Sequence, residues 1–208
     1  MESEVDRAAF LSLSSRGGAA VALGAIATGL VAEKAVASGA QTTDGPLTDL
    51  DLAQARLAVG AEILAAEFYT EAIASKKFGA DVTKYFTRAL FNEQEHLTAM
   101  SQVITGAGQT PSTADDFDIA FPKGTFDTRG AIARFGVALE SAFVGAYLGA
   151  VDAFAPPGLK TTAARIVASE AQHLSVLTEL AGNHPIGISF PAPIDYVTAS
   201  DLLDAYLG

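Results

Sequence analysis

The chain has 208 residues, half of them hydrophobic and 18% charged, which is enough for one ordinary domain with a real core and too apolar for a disordered chain. Its 13 basic and 24 acidic residues leave a formal net charge of −11, which argues against nucleic acid and anionic membrane surfaces as partners. Cysteine is absent, so disulfides, thiolate nucleophiles, zinc ribbons and cysteine-held iron–sulfur clusters are excluded. Any metal must be held by carboxylate, histidine or backbone oxygen.

Residues 1–44 read as a signal-like or disordered N-terminal segment. Gly17 to Ala32 is an uncharged run, preceded by Arg7 and Arg16 and followed by Ala35-Val36-Ala37, a small-residue cleavage candidate. Positive start, apolar middle and A-x-A end outline a secretory signal. Asp6-Arg7-Ala8-Ala9-Phe10-Leu11 is a degenerate twin-arginine-like motif, with Ala8 where the second arginine would stand. The expected location is therefore periplasmic or extracellular, the alternative being a loose arm on a cytoplasmic protein. The run is short and rich in Ala and Gly against the roughly 20 strongly apolar residues of a membrane span. A membrane is thus a partner only through this segment, if it stays uncleaved.

Residues 45–182 read as one all-α bundle. Thr48 or Asp49 is the expected N-cap of a first helix over Leu50 to about Lys77, ended by Phe78-Gly79-Ala80. Its stripe runs through Ala55, Val59, Glu62, Ala66, Tyr69 and Ile73 at steps of three and four. A second helix is expected from about Asp81 to Thr105, and a third from about Thr128 to Phe154, broken by Pro156-Pro157-Gly158. A fourth covers about Lys160 to Ala181, with Gly182 as its C-cap candidate. Short turns within each pair make antiparallel hairpins. The linker Gly106 to Asp127 is long enough to cross the bundle, with Phe117, Phe121 and Phe126 packing on the way. Residues 183–208 form a Pro-rich tail ending in a short helix, about Ala199 to Leu207.

The histidines carry the chemistry. His96 follows Glu93 by three residues, and His173 follows Glu170 by three. Positions i and i+3 lie about 60° apart around a helix and one turn along it, so carboxylate and imidazole converge on one point. Glu62 and Glu140 fall where an apolar residue belongs, with no Lys or Arg three or four residues away, and each precedes a tyrosine by seven residues, Tyr69 and Tyr147. A lone buried carboxylate costs several kcal/mol unless protonated, paired or bound to a cation. Glu62, Tyr69, Glu93 and His96 recur as Glu140, Tyr147, Glu170 and His173, at offsets of 78, 78, 77 and 77. A pseudo-twofold arrangement would gather four carboxylates and two imidazoles. Such a set fits two metal ions of the iron or manganese kind. With 11 glutamates in the chain, two of three histidines gaining a glutamate at i−3 by accident is below about 1%. The bland alternative is a metal-free bundle whose glutamates pair buried histidines.

This pattern, over roughly residues 48 to 182, resembles that of the ferritin-like dinuclear carboxylate proteins, whose antiparallel four-helix bundle has one long crossover between helices 2 and 3. The wording Glu62-Ile-Leu-Ala-Ala-Glu-Phe-Tyr69 and Gly145-Ala-Tyr-Leu-Gly-Ala150 is similar to the branch that includes exported bacterial and desiccation-related members. The resemblance implies that Glu93 and Glu170 bridge the metals, that Glu62 and Glu140 are terminal carboxylates and that His96 and His173 are terminal nitrogen ligands. It implies that Tyr69 and Tyr147 hydrogen-bond near the site or act as redox-active neighbours. Packing against a ligand carboxylate is favoured over a radical role.

Three functions fit. The first is an oxidoreductase acting on O2, peroxide or Fe(II), of ferroxidase, peroxidase or manganese catalase-like type, in oxidative or desiccation stress. The second is a non-catalytic, metal-stabilised protective or scaffold protein. The third is iron storage. A homo-oligomer is compatible with each. Glu67, Glu71 and Glu95 are expected in solvent, with Glu95 also placed to line an access path. Met100 is expected in the core, and His184 as a cap or surface residue.

Overall fold

The computed structural model describes residues 45–207, so the signal-like segment and its cleavage candidate lie outside the described residues. Five α-helices and one short 3-10 turn make up the regular structure, and no strand occurs among the described residues. We number the helices α1 (Asp49–Ala74), α2 (Ala80–Gly106), α3 (Arg129–Ala153), α4 (Pro157–Leu180) and α5 (Tyr196–Asp204).

Local chemistry sets most of the boundaries. Thr48 caps α1 through a reciprocal pair: its hydroxyl accepts from Asp51 N at 3.1 Å, and its own N–H donates to Asp51 Oδ2 at 2.7 Å. Lys76 then takes a left-handed φ of 55°, which stops the helix at Ala74 rather than carrying it to Lys77. Thr128 caps α3 by accepting from Ala131 N at 3.1 Å. α4 opens at Pro157, a turn earlier than Lys160, because a proline in the first turn costs no intrahelical hydrogen bond. It is followed by Gly182 at φ 84°. α5 likewise starts early, at Tyr196, because the Asp195 carboxylate accepts from Val197 N and Thr198 N at 3.0 and 3.1 Å.

The helices form an antiparallel four-helix bundle with one long crossover and a short C-terminal helix. α1 packs mainly on α2 and α3 mainly on α4, and the two hairpins meet across α1–α3 and α2–α4. The crossover, 107–128, is tied down by its aromatics. Phe121 and Phe126 stack edge to face at 5.2 Å and lie 6.5 and 6.1 Å from the buried Phe68 ring. Phe117 packs on the opposite apolar cluster. α3 is apolar and long enough to cross a membrane by composition (mean hydropathy 1.3), yet half of that window is buried in the bundle and it carries a buried glutamate, as a core helix does.

The interior divides into two apolar clusters. One includes Ala55, Val59, Met100, Ile104, Phe154 and Ile166. The other includes Leu64, Phe68, Phe86, Ile132, Phe143 and Leu177. On α2 and α4 the Glu-x-x-His turns fall between them. Polar side chains thus occupy a layer walled by hydrocarbon at either end, where charge is poorly solvated and the groups must satisfy one another.

Candidate metal centre

The bundle brings Glu62, Glu93, His96, Glu140, Glu170 and His173 into that layer, one glutamate from each helix and one histidine each from α2 and α4. Glu93, Glu140 and Glu170 are completely buried and Glu62 nearly so. His96 Nδ1 stands 2.9 Å from Glu170 Oε1, 3.3 Å from Glu93 Oε2 and 3.5 Å from Glu62 Oε2. His173 Nδ1 stands 2.8 Å from Glu93 Oε1, 3.1 Å from Glu170 Oε2 and 3.7 Å from Glu140 Oε1. Glu93 and Glu170 therefore divide their oxygens between the two imidazoles, whereas Glu62 faces only His96 and Glu140 only His173.

The donor set fits a cation. Glu62 Oε2, both oxygens of Glu93, His96 Nδ1, Glu140 Oε2 and Glu170 Oε1 are buried with no hydrogen-bond partner. Several are close to an imidazole nitrogen, yet they lack the direction a hydrogen bond needs. Lone pairs converging without donors between them are a liability in a dry core and an asset around a metal ion. Two overlapping groups could hold an ion, Glu62–Glu93–His96–Glu170 and Glu93–Glu140–Glu170–His173, each with ligand atoms within 4.8 Å of one another.

In the metal-free chain protons fill this role. Burial raises Glu62 to about 8, even with His96 alongside pulling it down. Burial, and then the neighbouring Glu170 and Glu93, push Glu140 well above the usual carboxylate range. Burial opposes charge on both imidazoles, but it loses to the carboxylates. Glu62, Glu170 and Glu93 carry His96 far above its ordinary value, and Glu170 and Glu93 carry His173 to about 9. Burial pushes Glu170 up, but the His173 ring hydrogen-bonded to it and the His96 imidazole beside it outweigh burial and hold it near 2. Near neutrality the centre balances its charge with protonated imidazoles and two protonated carboxyls, all displaceable by metal.

The tyrosines complete the layer reciprocally. Tyr69 of α1 donates to Glu140 Oε1 of α3 at 2.5 Å, and Tyr147 of α3 donates to Glu62 Oε1 of α1. Each phenol serves the opposite hairpin, although it shares a helix face with a glutamate of its own. Two groups near the layer, and one away from it, give no signal in the sequence. The Asn92 amide lies 3.1 Å from His173 Nε2, on the side remote from the carboxylates, where its Oδ1, turned toward the ring, accepts from Nε2–H. Tyr85, its ring 6.4 Å from that of His173, has a buried hydroxyl without a partner. Asp51 is buried at the other end of α1, where Oδ1 accepts from Ala155 N at 2.8 Å and pins the α3–α4 turn. Of the remaining candidates, Met100 is a core residue, His184 and Glu71 are exposed, and Glu67 and Glu95 are half-buried rather than fully in solvent.

No curated protein matches the chain. The model of the ferritin-like domain family matches residues 48–183, from the N-cap of α1 to just past the end of α4. With the bundle, its single crossover and a carboxylate–histidine cluster able to bind metal in agreement, the chain belongs to the ferritin-like domain family.

Proposed function

We propose that this protein holds two iron or manganese ions and acts as an oxidoreductase on O2, peroxide or Fe(II). The observation that carries the reading is the division of labour among the carboxylates. Glu93 and Glu170 each present one oxygen to each histidine, and so belong to both four-residue groups. This supports bridging roles for these two, terminal carboxylate roles for Glu62 and Glu140, and terminal nitrogen roles for His96 and His173. Bound metals would supply two-electron redox capacity and Lewis acidity at this point in the core.

The residues of the chain do the rest. The phenols of Tyr69 and Tyr147 fix the terminal carboxylates by hydrogen bonds, and the Asn92 amide, presenting Oδ1 to the Nε2–H, would orient His173. The two apolar clusters exclude bulk water. The His96 side chain is 14% exposed against 3% for His173, which supports access for small molecules from the His96 side.

The test begins with the metal. The full chain is purified from cells supplied with both iron and manganese, metal per chain is measured, and Fe(II) oxidation and peroxide loss are assayed. Two metal ions per chain with turnover are expected. Two ions with no turnover would leave the metal-stabilised protective protein as the reading. No metal would overturn both.

A further inference from the structure

We infer a second binding site, for a small neutral molecule with an apolar body and one acceptor oxygen, in a chamber between α1, α3 and α5. It goes beyond the metal centre and uses none of the six residues placed there. A cavity of about 40 Å³ lies where the two hairpins meet under α5. Gln54 and Ala61 of α1, Ala146 and Tyr147 of α3, and the partly exposed Tyr196 and Leu202 of α5 line it. The room comes from small side chains. Alanine recurs on the α1, α3 and α5 walls where larger residues would have closed the gap.

The second, independent observation is Gln54. The residue is 6% exposed, lines an otherwise apolar chamber, and its Nε2 is a buried donor without any hydrogen-bond partner. Leaving such a donor unpaired is costly, so the site asks for an acceptor. Water answers poorly. A buried water makes about three hydrogen bonds, and here the Tyr147 hydroxyl has given its one proton to Glu62 and leaves only a lone pair to add to the Gln54 donor. A molecule that gives one oxygen to Gln54 and hydrocarbon to the alanines satisfies the whole lining. The volume corresponds to roughly three waters on this measure, so the class is a short ketone, aldehyde or alcohol of about three or four heavy atoms. Tyr147 forms the wall shared with Glu62, so such a molecule would sit one side chain from the metal layer.

Acetone is the probe. Isotope-labelled full chain, metal-free and zinc-loaded, is titrated with acetone and followed by NMR at the Gln54 side-chain amide and the methyls of Ala61 and Ala146. Saturable shifts at these positions are expected in both metal states, with a Kd of roughly 0.1–10 mM. Gln54→Met, which keeps the volume and removes the donor, should weaken binding about three- to tenfold. Ala146→Leu, which fills the chamber, should abolish it. Shifts that are absent, unsaturable or scattered over the surface would overturn the proposal, as would undiminished binding in Gln54→Met. That variant decides the matter even if Ala146→Leu does not fold. Failure of the metal reading would leave acetone binding intact, so the two outcomes are told apart.

Discussion

Tyr69 reaches across the bundle to hydrogen-bond Glu140 on the opposite hairpin, 71 positions away in sequence, at 2.5 Å. The bond gives a buried, crowded carboxylate a fixed rotamer, and Tyr147 does the same for Glu62. Tyr69→Phe should keep the ring's packing on Phe68 and Phe86 and lose only this bond. The expected cost is about 1–3 kcal/mol in the metal-free chain, read from urea unfolding. Tyr147→Phe should cost a similar amount. The double variant should deviate from the sum, since both phenols act on one network. Metal content should stay unchanged in all three, and its loss would show that the phenols are required for binding.

The carboxylates should fall into two classes by metal analysis. Glu170→Ala removes a group that faces both histidines and should take metal content below one ion per chain. Glu62→Ala removes a group that faces only His96 and should leave about one. Equal losses in the two variants would contradict the bridging and terminal assignment.

The stability of the metal-free chain should fall as pH rises from about 6 to 9. His173 is raised to about 9, so its contribution is full below its unfolded value near 6.5 and is lost as pH passes 9. Glu62 is raised to about 8, so its proton-linked stability is full below about 4.5 and fades through 8. Glu170, lowered to about 2, works in the opposite sense: its contribution is present above about 4.5 and disappears as pH falls through 2. Melting temperature without metal should therefore peak in mildly acid solution and decline toward pH 9. Metal must displace the same protons, so the stabilisation it adds should grow over that range. A flat or rising metal-free profile between pH 6 and 9 would contradict this account.

The strap that leads into α5 rests directly on the backbone of α3. Ile194 N donates to Gly145 O at 2.9 Å, and a Cβ on Gly149 would fall 2.0 Å from the Ile194 carbonyl oxygen. Gly149→Ala should lift the strap, costing about 1–3 kcal/mol. It should also speed proteolysis in the segment 183–195, with metal content unaffected. Unchanged proteolysis would mean that the strap is held elsewhere.

The sequence made the helices and the gathering of four glutamates and two histidines legible because both rest on period. Glutamate and histidine three residues apart on one helical face, doubled at matching offsets, survive any uncertainty about where a helix begins. Boundaries were less legible. Lys76 gives no sign in its residue type of the left-handed turn that ends α1, and the capping strength of Asp195 competes with a proline-rich neighbourhood. The exchange of tyrosines could not be read at all. Spacing says that Tyr69 shares a face with Glu62, while only the packing of α1 on α3 decides which glutamate the hydroxyl meets. Asp51 was hidden because an acidic first turn is ordinary helix capping; its burial and its bond to Ala155 depend on the turn between α3 and α4. Asn92 and Gln54 were hidden for a like reason, each being an unremarkable amide until a neighbour arrives or fails to arrive.

The polar layer also governs how the interior holds together. It parts the hydrocarbon into an upper and a lower core, and each is small for a domain of this length. Coupling between them runs through the carboxylates and imidazoles. Filled with metal, that layer would act as a rivet, and the two halves should melt as one unit. Filled with protons, it is a set of titrating contacts, and either end of the bundle can loosen by itself. The metal-free chain should then melt over a broader range than the loaded one, its calorimetric enthalpy exceeding the van't Hoff value. Cooperativity, as well as midpoint, is what a filled centre would contribute to the fold.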